Sequence, residues 1–230
     1  MPATAAPTWG KNGTRRAGAA ALLVLLALPA TAHVLNTDLS KLSRTEIFGT
    51  YLRLGFTHII PLGLDHILFI LSLYILEPRL KPVLVQATAF TVAHSITLGL
   101  AMYGLISPPS HIIEPIIALS ILFVALENII TDKLNPWRVA VVFGFGLVHG
   151  MGFASVLTGL GLPAKDYVGS LISFNVGVEL GQVTVILLAW ALVGRWAARK
   201  SWYKQRVVIP VSVVIGLVAA YWTVERVFFT

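Results

Sequence analysis

Apolar residues run along this chain in long blocks, broken only by short polar gaps. Six blocks after residue 50 are long enough to cross a bilayer as helices. They cover Arg53–Leu76, Val83–Leu105, Ile112–Thr131, Trp137–Leu160, Val168–Gly194 and Val207–Phe229. An amphipathic approach helix from Arg44 leads into the first. The gaps hold Pro, Ser, Asn and Asp, as turns do. The pattern predicts an all-α integral membrane protein with six transmembrane helices.

The N-terminus follows a different pattern. Lys11, Arg15 and Arg16 precede an apolar stretch, Ala17 to Leu28, that is too short to span comfortably. Ala30-Thr31-Ala32 then offers a cleavage site, so residues 1–32 read as a secretory signal peptide. Residues 33–52 form a short periplasmic or interfacial segment, and residues 53–230 the transmembrane domain. Cleavage after Ala32 leaves His33 at the new N-terminus, where a free amine beside an imidazole can chelate a metal.

Basic residues alternate among the gaps. Arg79 and Lys81 lie in the first, Lys133 and Arg138 in the third, and Arg195, Arg199, Lys200, Lys204 and Arg206 in the fifth. The second gap, Ser107 to His111, has none, and in the fourth Lys165 is offset by Asp166. The positive-inside rule makes the odd gaps cytoplasmic. The mature N-terminus is then outside, as a signal peptide requires, and both ends face the periplasm or the cell exterior.

Composition narrows the chemistry. Only 12% of residues are charged, about half the share of a soluble domain. The net charge of +7 sits in the gaps, where topology accounts for it, and no nucleic-acid motif is present. The chain has no Cys, which excludes disulfides, thiolate sites and Fe–S clusters. Three Met are a poor supply for a Cu(I) handler.

Costly polar residues stand near mid-span. Asp65 and His66 lie in the first span, His94 in the second, His149 in the fourth, and Glu179 with Gln182 in the fifth. A charge at that depth costs at least about 2.5–3.5 kcal/mol on insertion scales. Imidazoles with carboxylates suit Ni, Co or Zn; the same groups would serve a proton relay or pair as glue between helices. His58 and Asp65 are seven apart and so share a helix face, which puts His58 roughly 10 Å nearer the outside, placed to capture an ion. Pro61 and Gly63 interrupt the helix between them. Ser95, Glu127 and Asn175 are secondary candidates with Gln182 and His33. Glu114 and Glu127-Asn128 mark the two ends of the third span. His111 reads as exposed, and Glu225 with Arg226 as a pair or as snorkelling groups.

Three spans followed by three give halves of opposite orientation, the usual build of a secondary transporter with a midplane site. Phe90-Thr-Val-Ala-His94 echoes Phe174-Asn-Val-Gly-Val178, followed by Glu179, and the first-span His echoes that of the fourth. Ala125-Leu-Glu127 loosely matches Thr223-Val-Glu225.

Four runs resemble a known family in order. They are Gly55-Phe-Thr-His58-Ile-Ile-Pro-Leu-Gly63-Leu-Asp65-His66, Phe90-Thr-Val-Ala-His94-Ser95-Ile-Thr97-Leu, Gly146-Leu-Val-His149-Gly150-Met-Gly152-Phe-Ala and Phe174-Asn175-Val-Gly177-Val-Glu179-Leu-Gly-Gln182. Together they are similar to the HupE/UreJ proteins, hydrogenase and urease accessory membrane proteins regarded as nickel permeases. The better-studied nickel permeases place Pro directly after the first His; here Ile59 follows His58, which marks a divergent branch.

The resemblance implies transport of a divalent transition metal, nickel foremost and cobalt or zinc next, across the inner membrane. The implied partners are the bilayer and a hydrogenase or urease maturation system. Asp65, His66, His94, His149 and Glu179 would form the site. Neutral imidazoles must bind, so uptake weakens as pH falls through about 6.5. The alternatives are an intramembrane metal-dependent enzyme of hydrolase type, and a non-catalytic membrane accessory factor for metalloenzyme assembly.

Overall fold

The computed structural model describes residues 43–159 and 167–229; the signal peptide, His33 and Lys165 with Asp166 lie outside them. Every regular element among the described residues is helical. Helix α1, Arg44–Ile59, opens on a capping box: the Ser43 backbone N–H donates to Glu46 Oε2 at 2.8 Å, and the Glu46 N–H donates to Ser43 Oγ at 3.4 Å. Ser43→Ala should weaken this end by about 1 kcal/mol, read as faster hydrogen exchange at the Glu46 amide.

The approach helix from Arg44 and the first half of the expected first span are one helix. It stops at Ile59. After a break at residues 60–63, α2 runs from Leu64 to Leu76, and the two helices are bent by 67°. Pro61 supplies no backbone donor there. Gly63 lies so close to the His58 carbonyl that a Cβ would overlap it, so the chain folds back on the end of α1.

The remaining helices are α3 (Leu80–Met102), α4 (Ser110–Ile130), α5 (Arg138–Gly159), α6 (Tyr167–Ala189) and α7 (Ile209–Phe228). Helix α3 carries Pro82 in its first turn, where no partner is lost, and closes on Gly104, whose φ of 72° suits only glycine well. Helix α6 continues through a π-helical turn, Trp190–Gly194, to Ala197. Another π turn, Lys204–Val208, leads into α7. Between them Tyr203 Oη donates to the Ile75 carbonyl at 3.0 Å. Burial raises the pKa of this phenol and keeps it a donor.

Among the described residues, four helices are long and apolar enough to cross a membrane: Leu80–Met102, Ser110–Ile130, Tyr167–Ala197 and Lys204–Phe228. The bent pair α1–α2 makes a fifth if it is one broken span rather than a re-entrant loop, and α5 holds a shorter apolar stretch, Arg138–Ala154. The closest helix partnerships are α1 with α6, α3 with α5 and α4 with α7, with α2 held among α4, α6 and its neighbours. Val92, Ile96, Leu119, Phe123, Leu180, Leu187, Leu217 and Val224 face outward. His, Gln, Asn and Arg are buried inside. Apolar outside and polar inside is the polarity of a protein dissolved in lipid, and the chain is a multi-pass membrane protein.

Candidate metal centre

The break between α1 and α2 builds the centre. It folds His58, in the last turn of α1, against His66, in the first turn of α2, with ring centroids 4.7 Å apart. His94, in the middle of α3, stands 6.2 Å from His58 and 6.1 Å from His66. The 10 Å offset expected of His58 therefore does not exist. It presumed a straight helix, and the turn at residues 60–63 removes the rise.

One nitrogen from each of His58, His66 and His94 lies within 4.8 Å of the others. Ligands around a tetrahedral ion at about 2.0–2.1 Å stand about 3.3 Å apart, so small side-chain rotations close the set on a metal.

Hydrogen bonds orient two of these rings. Asp65 Oδ1 accepts from the His66 backbone N–H at 2.8 Å and lies 3.1 Å from His66 Nδ1. A carboxylate only accepts, so Nδ1 carries the proton and Nε2 the lone pair. Asn175 plays the matching part for His94. Its Nδ2 donates to the Leu171 carbonyl at 2.8 Å, which turns Oδ1 toward His94 Nδ1 at 3.4 Å. The Nε2 atoms of His58, His66 and His94 are buried without a hydrogen-bond partner among the described residues. Unmet buried polar atoms are expensive and call for a reason; a metal ligand's lone pair supplies one.

His149 of α5 lies at the edge, its ring 5.2 Å from that of His66. Ser120 Oγ donates to the Ile117 carbonyl at 2.7 Å and accepts from His149 Nε2 at 3.0 Å. Nδ1 then holds the lone pair, again buried and unpartnered. The fourth imidazole is thus prepared as a donor beside the three-histidine group.

Aromatic rings close both sides. Phe153 packs 3.9 Å from His58 and stacks on Phe174 at 5.4 Å. On the other side Phe69 meets Phe90 at 5.2 Å and Phe145 at 6.1 Å, with Phe90 4.9 Å from His149.

The other candidates are placed as follows. Glu179 Oε1 accepts from Thr88 Oγ1 at 2.7 Å. Thr88 faces outward on α3, six residues or about 9 Å along the axis from His94. Ser95 Oγ donates to the Thr91 carbonyl of its own helix at 2.6 Å. Gln182 is fully buried, with neither amide atom partnered among the described residues. His111 is exposed, as expected. Glu225 accepts from Tyr221 at 3.4 Å, while Arg226 donates to the Glu114 carbonyl at 3.2 Å. Glu127 is buried at the far end of α4, against Arg138.

The sequence reading missed Ser120 and the burial of Arg138. Arg138 had the look of a loop-flanking cation, yet it is 1% exposed. The signal was Glu127-Asn128, a buried-looking acid and amide that need a cation across a short loop.

No curated protein and no solved structure matches the chain significantly. A family model described as HupE / UreJ protein matches residues 34–226, which takes in α1 to α6, α7 but for its last two residues, and all four imidazoles of the centre. The chain belongs to the HupE/UreJ family.

Proposed function

We propose that this protein is a permease that carries a divalent transition-metal ion, nickel foremost and cobalt or zinc next, across the inner membrane. One observation carries the reading. Inside a lipid-facing helical bundle, two buried imidazoles and a partly buried one each bring a nitrogen within 4.8 Å of the others, and the Nε2 of each is buried without a hydrogen-bond partner among the described residues. Membership of a family regarded as nickel permeases agrees with it. His58, His66 and His94 bind the ion, His149 is the adjoining donor, and Asp65 and Asn175 fix the tautomers. Asp65 and Glu179 remain candidate ligands in further steps of the cycle. The ion passes to a hydrogenase or urease maturation system inside the cell.

The contacts support a six-span, inverted-repeat architecture. On α1, Gly55 abuts Phe174 and Gly177, and Ile59 abuts Gly181. On α5, Gly146 abuts Phe90 and Ala93, and Gly150 abuts Thr97. The spacing is the same in both sets, and it gives His58 and His149 equivalent places in the two halves. The partnerships of α1 with α6 and α5 with α3 exchange under such a two-fold, and that of α4 with α7 maps onto itself. Rocking of one half against the other would open the centre to each side in turn. The signal peptide and the basic gaps orient the chain with both ends periplasmic.

The test is cellular accumulation of Ni, Co, Zn, Mn and Cu by mass spectrometry, comparing wild type with His66→Ala at matched membrane expression. The expected result is a rise in one metal that disappears in the variant. Equal metal contents throughout would sink the permease reading and favour an enzyme or an assembly factor.

A further inference from the structure

A second polar cluster lies beyond the Phe69–Phe90–Phe145 layer, and the centre does not use it. Ser72 follows His66 by six residues on α2, about 9 Å along the axis. At that depth the Arg138 guanidinium is enclosed by oxygens. Its Nη1 stands 3.2 Å from Glu127 Oε2 and donates to Asn128 Oδ1 at 3.0 Å, and Nη2 donates to the Ser72 carbonyl at 3.3 Å. Asn128 Nδ2 also donates to the Ser72 carbonyl at 2.7 Å. Ser72 and Asn128 are fully buried, Arg138 is 1% exposed and Glu127 5%.

The cluster is incompletely satisfied. Neither Glu127 oxygen is in hydrogen-bonding geometry with any partner among the described residues, and Ser72 Oγ and Arg138 Nε are likewise unpartnered. A buried ion pair left so loosely bonded gains little over separation, but either charge without the other is costly. The acid therefore needs a cation at all times, and the cage around it is a carboxylate, an amide oxygen, a carbonyl and a hydroxyl. Oxygen donors of this kind suit a divalent cation still carrying water. Lys204 closes the outer rim of the cluster. Its Nζ donates to the Asn128 carbonyl at 2.8 Å and to the Thr131 carbonyl, and lies 3.3 Å from Asp132 Oδ1.

We propose that Glu127, Asn128 and Ser72 form a second, inner station for a divalent cation, which the Arg138 guanidinium occupies while the path is closed. This rests on the permease reading for its role, though not for its existence. An ion leaving the imidazoles takes over the Glu127 charge and frees Arg138 to swing aside. When the ion departs, Arg138 returns. The charge on Glu127 is matched throughout, and the empty path stays shut.

Two measurements test this on the full chain with Co2+ alone as the probe. The first is binding stoichiometry on purified protein for wild type, Arg138→Gln and Arg138→Gln/Glu127→Gln. Arg138→Gln should bind one equivalent more than wild type, and the double variant should lose it. Equal stoichiometry in wild type and a folded Arg138→Gln would overturn the station. The second is Co2+ entry into liposomes loaded with a metal-quenched fluorophore. It uses the double variant, which leaves no unmatched charge and stays interpretable if Arg138→Gln does not fold. Entry should fall at least tenfold while binding at the imidazoles stays within twofold. A purely structural ion pair predicts that entry survives this charge-neutral exchange. Should wild type admit no Co2+, the permease reading fails, and the stoichiometry comparison still decides the inner station.

Discussion

Purified His66→Ala should lose its high-affinity metal. His66 is the one imidazole close to all three others, with ring centroids 4.7, 6.1 and 5.2 Å from His58, His94 and His149. It is also the ring that a carboxylate orients. Removing an outer partner such as that carboxylate typically costs about 10–100-fold in metal affinity. Asp65→Asn should fall in this range, because the amide still reaches Nδ1 but adds no charge to the ligand. Losing the ligand itself should exceed it. His111→Ala, exposed and remote in sequence, should leave affinity unchanged. Equilibrium dialysis with each variant separates the cases. Wild-type affinity in His66→Ala would place the ion elsewhere in the bundle. The test also weighs Glu179. If the ion rests on imidazoles alone, Glu179→Gln binds as wild type does; Thr88 holds its Oε1, while Oε2 is buried without a partner among the described residues. A loss as large as that of His66→Ala would make it a ligand.

The sequence carries most of this fold because lipid imposes a severe rule on it. Long apolar blocks must be helices, so the helical blocks and the polar residues within them could be read directly. His66, His94 and His149 were legible for the same reason: nothing cheap explains an imidazole at that depth. The shape of the first span was less so. Pro61 and Gly63 announced a break, but not its 67° angle, which depends on how α1 packs on α6. His58 was displaced in the reading as a result. Arg138 was misjudged on a related ground. Beside Trp137 at a span boundary it reads as a loop-flanking cation, and only the fold shows Glu127 and Ser72 closing over it. Hydrogen-bond partners of this kind come from different helices, and a single sequence does not record which helix faces which.

The same substitution at two glycines should shift stability in opposite directions. Gly150 of α5 packs on α3, where a Cβ would overlap the His94 carbonyl and Thr97 Oγ1. The obstacle includes backbone, which cannot rotate away, so Gly150→Ala must push α5 and α3 apart. Overpacking of this sort costs typically 1–3 kcal/mol. It also strikes the centre, since α3 carries His94 and α5 carries His149, one residue before the glycine. Gly216 of α7 is the contrast. A Cβ there would meet Ala125 Cβ at 3.7 Å and Leu122 Cδ1 at 3.8 Å, ordinary van der Waals distances. Gly216→Ala adds contact and removes the helix penalty of glycine, a gain of roughly 0.5–1 kcal/mol. Thermal unfolding in one detergent should therefore rank Gly216→Ala above wild type and Gly150→Ala below it, and metal affinity should fall only in the second. A Gly150→Ala protein that melts and binds like wild type would mean that α3 and α5 do not approach this closely, and the geometry of the imidazole group would fall with that contact.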